Sequence, residues 1–452
     1  MSKRFRPCSL EQDYLLPPSL DDWLPEDHLA RFIGEISETL DLTEIYLAYE
    51  RKDGRGLAAY HPLMLTRLLL YGYCIGVRSS RRIERATYDD VAFRYLAANQ
   101  HPDHDTIANF RRTQFGALAN LFVQALQLCQ RAGLVRLGVV ALDGTKILAN
   151  ASGLRSMKYQ ALQEEERRLA VQVASLLAEA EKVDEAEDAQ WGEGQREAVL
   201  PPGLERAQAR LVRLRQAREE LEREAQARLE EAERKSEPGA AKPSPEEREK
   251  QKQHRKRARA NARCPQRSYN FTDPEARQML DNGTKRIITG YNGQLAVDVE
   301  SQIIIAAEVT QQVHDRQQLV PMAEQVVRTG GVSPRTLLAD AGYWDTLSLR
   351  HPVLAAVDVL IAPDAGGSTG PRHMFHHPLA IEMRQRLQTA AGRALYRLRK
   401  TSVEPVIGRI KEHRRFRRFS LRGLANAAHE WKLVCLTHNL LKLHRLWRVA
   451  TA

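Results

Sequence analysis

Three carboxylates in this 452-residue chain sit where a carboxylate needs a reason. Asp143 follows the apolar run Val-Val-Ala-Leu in VVALDGTKILA, residues 139–149. Asp340 ends a second such run in LLADAGYWD, and both acids are followed within two residues by a glycine. Glu404 lies in RKTSVEPVIGRIK, a predicted helix crowded with Arg397, Arg399, Lys400, Arg409 and Lys411. A buried carboxylate is costly unless it is paired or bound to metal. Hard oxygen ligands suit Mg²⁺ or Mn²⁺, which keep waters and bind substrate phosphates. Two such ions about 4 Å apart activate a nucleophile and stabilise the leaving oxygen in phosphoryl transfer. Each acid also has a plainer reading. An aspartate at a strand end commonly caps a helix or forms a turn, and a glutamate in a basic helix makes a surface ion pair. The joint setting, two strand ends and one helix in a strongly basic chain, favours convergence on metal.

The elements that must position them follow from pattern. Residues 17–130 read as short helices. Pro62 opens the apolar PLMLTRLLLYGYCIG, and Asp105-Thr106 starts TIANFRRTQFGALANLFVQALQLC. These helices have Arg-rich faces, and two readings compete: a helix-turn-helix DNA reader and a plain packing domain. Residues 137–151 read as strand, turn and strand edge. Strand character returns at 286–310, with turns expected at Tyr291-Asn292-Gly293 and Glu300-Ser301. Residues 315–327 read as helix with Asp315 as its N-cap. Strands are expected in 336–345 and at the end of 353–363, then helices over 379–416 and 422–446. TDPEAR, 272–277, reads as a turn and helix start. Trp344 and Trp431 read as core. His373, His376 and His377 have no partner ligands at metal-site spacing elsewhere.

Between the first strand and the later ones, composition shifts to Glu, Arg, Ala, Gln, Leu and Lys. Leu162, Leu169, Leu176 and Val183 recur every seven residues, with Val173 and Ala180 interleaved. After the break WGEGQREAVLPPG, 191–203, a second arm carries Leu204, Ala207, Leu211, Leu214 and Leu221. Two heptad arms joined by a Gly/Pro break predict an antiparallel helical hairpin. SEPGAAKPSPEE, 236–247, reads as a loop, and KQKQHRKRARANAR, 250–263, as a basic tract with two readings, a solvated face or, favoured by the overall charge, a DNA contact. The strands flank this insertion, so one domain is interrupted and Asp143 must find distant partners.

Net charge is +11 and the isoelectric point about 9.5, which favours a polyanion as partner. The five cysteines are scattered, with no CxxC pair, which fits a reducing compartment. No segment has the apolar length of a signal peptide or membrane helix. The expectation is a cytoplasmic protein that does not enter a membrane.

At this point the chain resembles a known family, the bacterial insertion-sequence transposases of the DDE class. The segments that carry the likeness are LDGTKILANAS (142–152), TDPEAR (272–277), GYNGQLAVD (290–298), LLADAGYWD (337–345) and RKTSVEPVIGRIK (399–411). FRRFSLRG (416–423), EWKLVCLTHNLLKL (430–443) and, upstream, HPDHDTIANFRR (101–112) extend it over nearly the whole chain. The resemblance implies an α/β fold: a ribonuclease-H-like mixed sheet with flanking helices, interrupted by a coiled-coil-like insertion and preceded by an all-α domain. The implied boundaries are 1–130 for the helical domain, 137–157 for the first catalytic part, 158–265 for the insertion and basic linker, and 266–452 for the remainder.

The family's acids map onto Asp143, Asp340 and Glu404, which the resemblance makes both catalytic and ligands of two Mg²⁺ or Mn²⁺ ions. Related transposases carry Tyr, two residues, Arg, three residues, Glu, six residues, Lys. Here Glu404 and Lys411 keep the last spacing, while Lys400 stands in the arginine slot and Arg397 in the tyrosine slot. Tyr396 and Arg399 are each one residue early. Lys411, Arg399, Lys400, Arg414 and Arg415 are the expected phosphate contacts. The implied partners are double-stranded DNA, as element ends and target, and a second copy of the chain on DNA. Two rivals remain: a non-catalytic coiled-coil DNA-binding protein, and a nuclease that cuts without strand transfer.

Overall fold

The structure, a computed structural model, describes residues 19–50, 59–191, 203–234, 252–253, 256–257, 259–262, 265–281, 283–363 and 377–451. Most of the 191–203 break, the 236–247 loop, much of the basic tract 250–263, and His373 and His376 lie outside the described residues. The chain divides into two compact units, one of residues 1–149, 279–283 and 290–452, the other of residues 150–278 and 284–289.

The first unit is built on a mixed sheet of β1 (Val139–Leu148), β4 (Arg277–Asp281), β5 (Arg286–Asp298), β6 (Ile304–Thr310), β7 (Thr336–Ala339) and β8 (Asp358–Ile361). Its path runs β4-β5-β1-β7-β8, with β6 also on β5. β5 lies antiparallel to β1, in register from Val140↔Asp298 to Leu148↔Gly290, and β6 is antiparallel to β5. β7 runs parallel to β1, and β8 parallel to β7. Val140, Ala141 and Leu142 have no exposed surface. A central strand with both faces covered reads as a continuous apolar run, which is what 139–142 show. The expected turn at Tyr291-Asn292-Gly293 does not form, because β5 runs straight through it. Tyr291 is fully buried opposite Ile147, and Gly293 serves close packing instead. A Cβ there would lie 3.1 Å from the Trp431 ring, whose Nε1 donates to the Gln294 carbonyl at 2.9 Å.

Among the described residues six α-helices precede the sheet: α1 (Leu29–Glu38), α2 (Thr43–Glu50), α3 (Pro62–Ile75), α4 (Ser80–Asp89), α5 (Val91–Leu96) and α6 (His104–Arg131). α3 starts on Pro62 and stops at Gly76 in the left-handed region, the arrangement those residues favour. Asp103, rather than Asp105-Thr106, caps α6 by accepting from the Thr106 N–H at 2.7 Å. These helices share a unit with the sheet instead of forming one of their own. The C-terminal helix Leu424–Thr451 packs against α6, α3 and β6. Its Asn439 amide bonds both the N–H and the carbonyl of Ile304, each at 2.9 Å.

The second unit is a helical hairpin with arms Tyr159–Trp191 and Leu204–Arg234. Leu162, Leu169, Leu204, Leu211, Leu214 and Leu221 form its core. Val183, expected in the seam, is 56% exposed. Ion pairs Glu166–Arg215 and the bond from Tyr159 Oη to Glu222 at 2.6 Å set the antiparallel register. That register pairs Val183 with a position before Leu204, which lies outside the described residues. The strands β2 (Ser156–Lys158) and β3 (Ser268–Asn270) pair antiparallel at the base of the hairpin. TDPEAR gives a turn followed by β4, not a helix.

Candidate active site

The register of the two parallel strands brings the first two acids together. Ala141 pairs with Leu338, so two residues further on Asp143 comes beside Asp340. Asp143 Oδ1 accepts from the Gly144 N–H at 2.8 Å, and Oδ2 lies 3.3 Å from Arg399 Nη1. Burial first, and then the neighbouring Asp340 charge, push its carboxyl up to about 7 against the opposing pull of Arg399. Asp340 caps a short 3₁₀ turn, accepting from the Gly342 N–H at 2.9 Å. Its carboxyl is also raised, by burial and then by Asp315. Carboxylates that raise one another in a shared, poorly hydrated site are ones a cation would stabilise.

Glu404 comes from the helix Ala390–Gly408. Its carboxylate is half exposed and lies 3.6 Å from Arg399 Nη2. Arg399, 9% exposed, therefore stands between Asp143 and Glu404 and pairs with both. The helix is held to the sheet by Tyr396, whose hydroxyl donates to the Ala339 carbonyl at 3.1 Å, next to Asp340. Among the described residues no group of three or more His, Cys, Asp or Glu side chains is arranged to hold a metal ion. Two acids share one site and the third is held off by an arginine.

A fourth acid faces this site. Asp315 is not the cap of a long helix. It opens a three-residue 3₁₀ turn, and the following helix starts at Leu319. Its Oδ1 accepts from Asn292 Nδ2 at 2.6 Å and Gln294 Nε2 at 2.7 Å, with Lys146 Nζ at 3.6 Å. Tyr343 donates its hydroxyl to Gln294 Oε1. Gly144 leaves room for this carboxylate, because a Cβ there would come within 2.5 Å of Asp315 Oδ1. The signal in sequence was the pair of amides, Asn292 and Gln294, two apart on an otherwise apolar strand and so on one face.

Two family models match the chain. Residues 18–113 match the model described as "Transposase domain (DUF772)" and residues 260–440 the model described as "Transposase DDE domain". The chain belongs to the DDE transposases. No curated protein and no solved structure matches it. It is thus a DNA transposase, an enzyme that acts on DNA in transposition, and among its described residues no helix is long and apolar enough to cross a membrane.

In the transposase Asp340 and Asp315 open onto a cleft of about 850 Å³, bordered also by Lys146, Arg316, Arg399 and Lys400. Lys400 is exposed at the rim, as a phosphate contact requires, and Arg415 is exposed as well. Lys411 is partly buried in a π-helical turn, Arg409–His413, so it does not continue the Glu404 helix in α geometry. Asp281 and Glu412 are the acids near it. Two expected contacts are placed differently. Arg399 is spent on the acids, as described above. Arg414, 6% exposed, is turned inward, donating to the Val434 carbonyl at 3.0 Å and Thr437 Oγ1 at 2.8 Å. Its neighbours Phe416 and Phe419 are fully buried anchors, which draws this part of the basic segment into the core. His377 caps the helix Pro378–Gln388 by accepting from the Leu379 N–H.

Proposed function

We propose that Asp143, Asp340 and Glu404 are the catalytic carboxylates of a ribonuclease-H-like transposase that cuts DNA at the ends of an insertion sequence and joins them to a target. The observation that carries this is the juxtaposition of Asp143 and Asp340 on adjacent parallel strands, with Arg399 linking Asp143 to Glu404. The strand path β6-β5-β1-β7-β8, antiparallel on one side of β1 and parallel on the other, supports the fold reading. The insertion between β1 and β5 is then the helical hairpin, and the helices before β1 are the segment for end recognition.

The donor set fits a divalent cation of the Mg²⁺ or Mn²⁺ type. Asp143 and Asp340 offer hard oxygens in one buried pocket, and their mutual repulsion is relieved by positive charge. Two bound ions would supply Lewis-acid activation of water or hydroxyl and of the leaving oxygen. Asp143 and Asp340 would hold the ions, and Glu404 would complete the set in place of its contact with Arg399. Arg399 would then be available to a DNA phosphate, beside Lys400 and Lys146, which border the same cleft. Hydrolysis frees a 3′-hydroxyl at the element end, and that hydroxyl attacks target DNA. Both steps are in-line displacements at phosphorus, so one site serves both. Lys400, Lys411 and Arg415 hold flanking phosphates by charge. Joining two ends calls for at least two copies of the chain on DNA.

The test uses full-length protein, Mg²⁺ and labelled DNA carrying the element's ends. Asp143→Asn, Asp340→Asn and Glu404→Gln are each expected to reduce cleavage at least about 100-fold while DNA is still bound. Near wild-type cleavage by any one of them removes that residue from the site. Cut products without joined products would leave a nuclease and refute strand transfer.

A further inference from the structure

A second cationic site lies past the far end of the Glu404 helix. The turn Arg409–His413 and the C-terminal helix enclose a pocket of about 300 Å³, into which Arg409, His413 and Arg414 face Lys442, Arg445 and the buried His438. It shares no residue with the acidic cleft. Arg409 follows Arg399 by ten residues, about 15 Å along a helix axis.

What sets this cluster apart is the absence of acid. Arg409 Nη1 and Lys442 Nζ both donate to one amide oxygen, Gln302 Oε1, at 2.7 and 2.9 Å. His438 Nε2 meets the Gln302 carbonyl at 2.9 Å, and Arg414 bonds inward to Val434 and Thr437. Among the described residues no carboxylate pairs with any of the six. Three arginines elsewhere in the same unit do meet carboxylates, Arg31 at Asp21, Arg67 at Glu38 and Arg448 at Asp27. The cost of the crowding is visible. Burial, then Arg409 and Arg445, push the Lys442 ammonium down to about 8. Burial, then Arg414, hold the His438 imidazole neutral, down to about 3. Like charges gathered in a partly desolvated pocket destabilise the fold unless an anion is there to offset them.

We propose that this pocket is a second DNA-contact site of the transposase, in which Arg409, Lys442 and Arg445 grip a backbone phosphate remote from the reacting one. A phosphodiester fits better than a free ion. The chain is a DNA enzyme with net charge +11. Arg445 and His413 are exposed at the rim, where a strand passing outside the pocket would meet them. Buried Arg414 adds field from behind without needing to touch the ligand. The proposal does not depend on which acids perform the chemistry.

The experiment compares full-length wild type with Arg445→Gln, Lys442→Gln and the double variant. Affinity for end DNA is measured against salt concentration, and thermal midpoints are measured without DNA, with and without inorganic phosphate. The double variant is expected to bind about tenfold more weakly at moderate salt, and its salt slope to fall by about one phosphate contact. Its midpoint without DNA is expected to equal or exceed that of wild type, because repulsion has been removed. A lowered midpoint would show that the cations are structural and overturn the proposal. Unchanged affinity and slope would overturn it as well. So would a wild-type midpoint raised by inorganic phosphate alongside an unchanged DNA slope, which would assign the pocket to a small anion.

Discussion

Asp143 carries its ionisation cost in a way that stability can report. In the unfolded chain its carboxyl titrates near 3.8, and in the fold near about 7. Below the lower value both states are neutral and the group costs nothing. Between the two, folding takes up a proton, so stability falls as pH rises. Above about 7 the full cost is present. Asp143→Asn removes that dependence. In chelator, the variant should melt higher than wild type at about pH 8, and the gain should shrink toward about pH 5. A gain independent of pH would mean that the Asp143 environment is wrongly described. Asp315 argues a second point at this scale. Asn292 and Gln294 can both donate to its Oδ1 only while that oxygen accepts. Asp315→Asn should therefore disturb the amide pair, lower cleavage about tenfold or more, and leave overall DNA affinity near wild type. Unchanged cleavage would make the network a packing device only.

At the scale of elements, what could be read in advance was what repeats or terminates locally. Apolar runs ending in acids gave β1 and β7, and the heptad leucines gave both hairpin arms. What could not be read depends on partners far away in the chain. Tyr291-Asn292-Gly293 has turn composition, yet it stays extended because β1 and Trp431 hold it. Asp315 has N-cap composition, yet its partners stand 21 and 23 residues upstream, visible only once the strand register is known. Arg414 lies in a basic run that reads as surface, and the buried phenylalanines beside it pull it inside. The acids stand out in sequence at the ends of apolar runs and in a basic helix, but the place of Arg399 between two of them does not, since it looks like any other arginine of that helix. The hairpin also supports a prediction. Leu214, 2% exposed in the hairpin core, should cost about 2–5 kcal/mol on replacement by Ala. Because the hairpin has its own core, hydrogen exchange should quicken in 159–191 and 204–234 while β1 and β5 keep their protection. Equal loss in the sheet would contradict two separately stabilised units.

For the molecule as a whole, the decisive seam joins the N-terminal helices to the sheet through Glu430. This carboxyl has no exposed surface. It accepts from Tyr73 Oη at 2.8 Å, from the Ser420 N–H at 2.6 Å and from Ser420 Oγ at 2.7 Å. One side chain thus fastens α3, the segment after the basic turn and the C-terminal helix. Arg78 adds to the seam by donating to the carbonyls of Arg415 and Arg418, both at 3.1 Å, with its guanidinium 4.7 Å from the centre of the Phe416 ring. β1 reaches the same segment, since the Phe419 N–H donates to the Leu148 carbonyl at 2.9 Å. The strand that carries Asp143 and the helices of residues 29–131 are therefore built onto one support. Glu430→Ala would open a cavity and leave three donors unsatisfied, at a cost of at least about 3 kcal/mol. Tyr73→Phe removes one donor and keeps the ring, and should cost ~1 kcal/mol. Both variants should lower the thermal transition of the first unit, with amide protection in α3, β5 and β6 falling together. If α3 loses protection while β5 and β6 keep theirs, the N-terminal helices form a separately folding body and Glu430 is not the support that joins them to the sheet.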